Sequence, residues 1–81
     1  MFCTINAGYE ILAHELTSGL LERERGFCVG HNPNAPSPYV TWRFSKRPAE
    51  EGYDFFSGNY FLSYRKAMCD YHRRLADTYE D

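Results

Sequence analysis

The chain of 81 residues has the length of one small domain, and we treat residues 1–81 as a single unit. Hydrophobic residues make up 43% and charged residues 25%, a globular composition that excludes a disordered chain, a collagen and a coiled coil. Nine basic and eleven acidic residues give a net charge of -2, and no apolar run approaches the roughly 20 residues of a membrane span. The composition therefore predicts no overall attraction to nucleic acid and no membrane association.

The first part of the chain alternates short β-prone segments with turn residues. Residues 2–6 form the first segment, and Ala7-Gly8 predicts a tight turn because glycine accepts a positive φ. Residues 9–16 fit a partner strand, which the turn favours, although their apolar spacing also fits a helix. A second turn is predicted at residues 17–19, a solvated edge or loop at 20–25, and a further strand at 27–30.

The central part of the chain contains the clearest loop and the clearest strand. Residues 31–38 hold three prolines within six positions, which predicts an extended loop because proline cannot donate to a β-ladder. Residues 39–44 follow as a strand that places Val40, Trp42 and Phe44 toward the core. A polar loop is predicted at 45–52 and a β-prone aromatic segment at 53–61, interrupted at 57–59 by a turn or a bulge.

The C-terminal part predicts a helix from about residue 62 to residue 78, with Ser63 as its N-cap. The predicted fold class is α+β, an antiparallel sheet of four or five strands with one C-terminal helix packed on a face.

Fourteen aromatic residues are more than such a thin fold can cover, so Tyr39, Tyr53, Tyr60 and Tyr79 are predicted to be exposed. The predicted core consists of Ile5, Ile11, Val29, Val40, Trp42, Phe44, Phe61, Met68, Tyr71 and Leu75.

One segment order carries a resemblance. Residues 30–42 read GHNPNAPSPYVTW, and a GYDFFSGNYF run at 52–61 and the final helix follow them. This order resembles short uncharacterised proteins carried on bacterial conjugative elements and phages, over about residues 27–75. The resemblance implies an accessory role on a mobile element, and it transfers no active-site residue.

Cysteine and histidine spacing raises the question of a metal. Cys28 with His31, and Cys69 with His72, form two pairs of the ligand types found in Cys2His2 zinc sites. The usual Cys-x2–4-Cys and His-x3–5-His pairs are absent, however, and Cys28 also fits a small core residue. We predict no metal and no cofactor.

Three widely spaced cysteines and an N-terminus without a signal-peptide pattern predict reduced thiols and a cytoplasmic location.

Catalytic motifs are missing from the sequence. It contains no Gly-rich phosphate loop and no HExxH or GxSxG motif, and a chain this short rarely builds a substrate pocket. The sequence therefore predicts a protein that is not an enzyme.

The favoured hypothesis is a small protein-interaction module, a monomer or weak homodimer, that binds another protein as a mobile-element accessory or inhibitor. An inhibitor of a bacterial defence system, of the anti-CRISPR kind, belongs to that class, and a conjugation or replication accessory is equally compatible. Prolines pre-order a loop, and exposed tyrosine beside basic residues is typical of binding hot spots. The predicted partner-binding residues are Pro33, Pro36, Pro38, Tyr39, Arg43 and Lys46.

Two alternatives remain open for these residues. The prolines also fit a role in blunting a sheet edge against aggregation. Aromatic and basic side chains are mixed at residues 42–47, 65–66 and 73–74, which also fits a small nucleic-acid-binding module. Trp42 and Phe44 alternate as a core pair, which counts against a stacking platform there.

Overall fold

The structure, a computed structural model, describes residues 4–18, 24–46 and 53–79. These residues form one five-stranded antiparallel sheet, which is curled, and one helix packed against it. The strands lie side by side in chain order, β1 to β5. The predicted α+β class is confirmed. The elements are β1 (Ile5–Asn6), β2 (Tyr9–Ser18), β3 (Glu24–His31), β4 (Tyr39–Lys46), β5 (Asp54–Phe61) and α1 (Tyr64–Tyr79).

The predicted turn at Ala7-Gly8 is confirmed. Asn6 pairs with Tyr9 across it, and the two turn residues have φ angles of 52° and 84°. Two consecutive positive φ angles give a backbone twist that matches the twist of the flanking strands, which is why short hairpins use them. Residues 9–16 lie within strand β2, so the predicted strand is confirmed and the helix alternative is wrong.

Strand β3 begins earlier than the sequence predicted. The charged stretch at 20–25 was expected to form an edge or loop, but Glu24 and Arg25 belong to the strand. Arg25 pairs with Ser18 on one side and with Ser45 on the other. The Arg25 backbone pairs with both neighbouring strands while its side chain stays exposed to solvent. A charged side chain is compatible with a strand in this way, because strand pairing uses the backbone alone.

The proline segment is a loop, as predicted, and hydrogen bonds close it. His31 pairs with Tyr39 at its base, and the Asn32 amide donates to the Pro38 carbonyl at 2.8 Å. Tyr9 of the neighbouring strand β2 donates a hydrogen bond from its hydroxyl to the Ser37 carbonyl, at a distance of 2.7 Å. The loop is therefore held against the sheet as well as stiffened by its prolines.

Residues 57–59 form an irregularity within one strand rather than a turn between two. The pairing of β4 with β5 shifts register between Thr41 and Arg43, opposite Ser57, whose φ is 55°. Gly58 leaves room for the Trp42 ring, since a Cβ there would lie 2.9 Å from Trp42 Nε1. Of the two predicted possibilities, the structure shows the bulge.

Two hydrophobic clusters lie on opposite sides of the sheet. On the helix side, Phe27 and Val29 pack against Ala67, Tyr71 and Leu75 of α1. On the far side the cluster consists of Tyr9, Cys28, Val40, Trp42 and Phe44. Val40, Trp42 and Phe44 are buried as predicted, but they face away from the helix.

The predicted core is confirmed at Val29, Val40, Trp42, Phe44, Tyr71 and Leu75, and it is wrong at one residue. Ile5 is 63% exposed, because β1 has only two residues and pairs on one side, with β2. Three other predicted core residues are only partly buried: Ile11, Phe61 and Met68.

Surface tyrosines were predicted at four positions. Tyr60 is 54% exposed, as predicted, whereas Tyr39 and Tyr53 are half-buried. The side chain of Tyr79 lies outside the described residues.

Helix α1 begins at Tyr64 with Ser63 as its cap. The Lys66 amide donates to Ser63 Oγ at 3.3 Å and the Ala67 amide to the Ser63 carbonyl at 3.1 Å. The predicted cap is confirmed, and the predicted start at residue 62 was two residues early. No helix within the described ranges is long and apolar enough to cross a membrane.

Candidate functional site

A buried carboxylate joins the helix to the middle of the sheet. Asp70 of α1 is 7% exposed. Its Oδ2 accepts hydrogen bonds from Thr41 Oγ1 at 2.6 Å and from Asn59 Nδ2 at 3.2 Å. Arg74 Nε lies 3.2 Å from the same oxygen, and Arg73 pairs with Oδ1. One carboxylate thus fixes two arginines of the helix in position above the sheet.

The electrostatics of this network favour the ionised carboxylate. Burial raises the pKa of Asp70, but hydrogen bonds from Thr41, Asn59 and Arg73 and the charge of Arg74 outweigh it. The net effect holds the Asp70 pKa below its usual value. Asp70 is therefore a charged partner for the arginines at neutral pH.

Guanidinium groups and phenylalanine rings alternate beside this network. The Arg43 guanidinium carbon lies 5.6 Å from the centre of the Phe56 ring and 5.7 Å from that of Phe27. The Arg74 guanidinium carbon lies 5.8 Å from the Phe27 ring centre. We call this series of Phe56, Arg43, Phe27 and Arg74 the arginine–phenylalanine row. Such contacts hold a guanidinium in place without neutralising its charge.

Two adjoining cavities open along the row, and both are lined by Phe27 and Arg43. The first has a volume of about 280 Å³ and reaches Thr17, Arg25 and Ser45, so we call it the strand-side cavity. The second has a volume of about 480 Å³ and reaches Asn59, Arg73 and Asp77, so we call it the helix-side cavity. Together they form one groove lined by four arginines.

The arginines of the groove differ in how far their charge is paired. Arg73 contacts both Asp70 and Asp77, and Arg74 contacts Asp70 and donates to the Ser57 carbonyl at 2.7 Å. Arg43, in contrast, has no carboxylate partner among the described residues. Burial lowers the pKa of Arg74, Asp70 raises it, and the charges of Arg73 and Arg43 lower it further. Arg43, Arg73 and Arg74 are thus close enough for the positive charges of Arg43 and Arg73 to act on Arg74.

The predicted partner-binding residues are divided between two places. Pro33 and Pro36 are exposed in the loop, whereas Pro38 and Tyr39 are half-buried at its base. Tyr39 stacks on His31 with ring centres 4.7 Å apart and meets the Tyr64 ring edge-on.

Arg43 stands four residues further along β4, roughly 13 Å away at the rise of a strand, with buried Thr41 between. The side chain of Lys46 lies outside the described residues. The loop and Arg43 are therefore two surfaces rather than one, and their roles stay predictions.

The four candidate zinc ligands are not brought together. Cys28 lies opposite Trp42 and His31 opposite Tyr39, so the two residues project from opposite sides of the sheet. Cys69 and His72 are exposed on α1. The described part of the chain holds no group of three or more potential ligands that could bind a metal ion.

Sequence reasoning missed most of the groove. It singled out Arg43, Arg73 and Arg74 as basic residues, but not Phe27 or Phe56 as their neighbours. Phe27 lies opposite Arg43 only because of the register between β3 and β4, and Phe56 lies opposite Arg43 in β5. Alternation within each strand is visible in the sequence, but the register between strands is not.

Comparison of the chain with protein-family models, with curated proteins and with solved structures finds no match.

Proposed function

We propose that this protein is a small protein-interaction module whose arginine-lined groove binds an acidic segment of a partner protein. One observation carries the proposal: the Arg43 guanidinium lies between the Phe27 and Phe56 rings and has no carboxylate partner among the described residues. A charged group held in this way is ready for an anionic ligand.

The composition of the groove supports a protein partner. Arginine and aromatic residues are enriched in binding hot spots, and Phe56 is 43% exposed beside Arg43. The ring contacts restrain the Arg43 side chain before binding, so less conformational entropy is lost when a partner docks. Four arginines line the groove although the whole chain carries a net charge of -2. Charge complementarity therefore favours aspartate and glutamate in the partner.

The proposed biological setting rests on the resemblance of residues 27–75 to short proteins of conjugative elements and phages. We propose a cytoplasmic accessory or inhibitor of a mobile element that acts by occupying the surface of a host protein. A defence-system inhibitor of the anti-CRISPR kind would work in this way. The exposed prolines of the loop, Pro33 and Pro36, provide a second, separate contact surface in this proposal.

The test is quantitative binding to a partner captured from the native host and then purified. We expect Arg43→Ala to weaken binding by about tenfold or more, a typical loss for a hot-spot residue. Arg65→Ala is the matched control, since Arg65 is exposed on α1 and lines a different groove. A separate Tyr39→Ala variant tests the proline-loop surface. Equal affinity of the wild type and the folded Arg43→Ala variant would contradict the groove as the binding site.

Nucleic acid is the second candidate, because the same arginines suit phosphodiesters. The aromatic part of the groove argues against it: Phe27 is buried between two guanidinium groups, which leaves Phe56 as the one exposed ring of the row. Trp42 and Phe44 are buried on the other side of the sheet.

Gel-shift measurements with single- and double-stranded DNA and RNA at low and moderate salt separate the two candidates. We expect only weak association that moderate salt abolishes. Submicromolar binding that survives moderate salt, and that Arg43→Ala removes, would favour the nucleic-acid candidate instead.

A further inference from the structure

We propose that the strand-side cavity is a binding site for a phosphomonoester, with the phosphoryl group between Arg25 and Arg43 and the organic part against Phe56. The proposal does not depend on the protein partner proposed above. It concerns a small ligand, and it uses Arg25, which lies outside the arginine–phenylalanine row.

The donors that line this cavity fit a doubly charged oxyanion. Arg25 and Arg43 contribute two guanidinium groups, each with five N–H donors, and neither has a carboxylate partner among the residues that the structure describes. None of the described residues that line the cavity carries a carboxylate. Bidentate hydrogen bonds from guanidinium to phosphate are among the strongest that side chains form. Thr17 adds a hydroxyl whose present bond, to the Arg25 carbonyl, is long at 3.4 Å and easily exchanged.

The described carboxylates near the cavity are either paired with other arginines or lie outside its lining. Asp70 and Asp77 are paired with the helix arginines, so they do not neutralise Arg25 or Arg43. Glu15 and Asp54 lie on the helix side of the sheet, opposite Phe27 and Ser45, but neither lines the cavity. The C-terminal end of α1 brings a partial negative charge near Thr78, roughly half an elementary charge, which is smaller than one guanidinium charge.

The size and the aromatic lining restrict the ligand. A volume of about 280 Å³ is near the lower limit for small-molecule pockets, which suits one phosphoryl group and a small organic part. Phe56 is partly exposed at the cavity, so a planar group joined to the phosphoryl group can pack on its ring. The site should therefore prefer an aromatic phosphomonoester over inorganic phosphate.

The experiment is a titration of the ¹⁵N-labelled chain with three probes at low salt, followed by NMR at the amide of Gly26, which lines the cavity. The probes are phenyl phosphate, inorganic phosphate and benzoate. We expect saturable shifts with phenyl phosphate at about millimolar concentration or below, and about tenfold weaker binding of inorganic phosphate. Benzoate should also bind more weakly, because a carboxylate offers fewer oxygens and a single charge.

Variants connect the binding to the named residues. Arg25→Gln and Arg43→Gln should each weaken phenyl phosphate binding by about tenfold, the loss of one bidentate contact. Arg65→Gln removes the same charge outside the cavity and should leave the affinity unchanged. Unshifted Gly26 with phenyl phosphate, equal affinity for benzoate, or equal weakening by Arg65→Gln would each overturn the proposal.

The two proposals can fail separately. If phenyl phosphate binds as expected while Arg43→Ala leaves the affinity for the protein partner unchanged, the phosphomonoester site is supported and the protein-binding groove is contradicted. If Arg43→Ala weakens binding of the partner but phenyl phosphate does not bind, the protein-binding groove is supported and the phosphomonoester site is contradicted.

Discussion

Asp70 on the helix accepts a hydrogen bond from Thr41 in the middle of the sheet, at an Oγ1–Oδ2 distance of 2.6 Å. Both residues are buried, and they lie beside the hydrophobic contacts between the helix and the sheet. A buried carboxylate is tolerated only when charges and hydrogen bonds replace its lost hydration. Here Asn59, Arg73 and Arg74 supply the remaining hydrogen bonds and charges around the Asp70 carboxylate. Asp70 therefore both stabilises the contact between helix and sheet and orients the arginines of the groove.

Removing the charge of Asp70 should destabilise the fold. We expect Asp70→Asn to lower the free energy of unfolding by about 3 kcal/mol, because Arg74 would remain largely buried without its carboxylate. Asp77→Asn is the matched control, since Asp77 forms an exposed pair with Arg73 that contributes little. Urea unfolding of both variants measures the difference. Equal losses in the two variants would show that the buried network adds no stability.

Acid should remove the stabilisation that Asp70 provides. Its pKa in the folded protein lies below the ordinary value, so the folded state favours the ionised form and the stabilisation is fully present at neutral pH. It begins to be lost as the pH falls below about 4, near the ordinary aspartate pKa, and is gone below the lowered folded pKa. The stability difference between wild type and Asp70→Asn should be constant at pH 5–7 and shrink below about pH 4. A stability difference that stayed constant down to pH 2 would contradict a lowered Asp70 pKa in the folded protein.

Close backbone approach makes Gly26 sensitive to substitution. A Cβ at this position would lie 2.1 Å from the Glu15 carbonyl oxygen and 2.7 Å from Phe44 Cζ. We expect Gly26→Ala to destabilise the protein by about 3 kcal/mol or more, because the obstructing atom belongs to the backbone of β2. At Gly30 the nearest atoms are side-chain carbons at 3.1 and 3.3 Å, so Gly30→Ala should cost about 1 kcal/mol or less. Thermal unfolding of both variants checks this order.

Trp42 should contribute strongly to stability although it lies on the side without the helix. It is 5% exposed and contacts the rings of Tyr9 and Phe55, with centre-to-centre distances of 5.6 and 5.5 Å. Trp42→Ala should cost about 3–5 kcal/mol, as for other buried aromatic residues. Calorimetry measures the loss. A melting temperature within a few degrees of wild type would mean that the far-side cluster adds little.

Local patterns made most of the fold predictable. The Ala7-Gly8 turn, the alternation in residues 39–44 and the cap at Ser63 depend on neighbours in the sequence, and each was confirmed. Their physics is short-ranged: positive φ, side-chain alternation and an amide that needs an acceptor.

The site was less predictable because it depends on contacts between distant segments. The sequence places Asp70 four residues from Lys66 and from Arg74 on the helix, and only its contact with Thr41 reveals that it is buried. Trp42 was predicted to be in the core, yet the sequence does not specify on which side of the sheet the helix packs. Register and helix placement follow from the whole set of packing energies rather than from any one segment.

The order of the strands has a consequence for how the chain folds. Each strand pairs with its neighbour in sequence, and α1 follows the last strand. Hairpins can therefore form one after another during synthesis, without waiting for distant segments, which favours rapid folding. Phe27 and Val29 stay uncovered until Ala67, Tyr71 and Leu75 have been made. The docking of α1 is thus expected to be the final folding step. A nascent chain that pauses before this step would expose an aggregation-prone hydrophobic surface that chaperones bind.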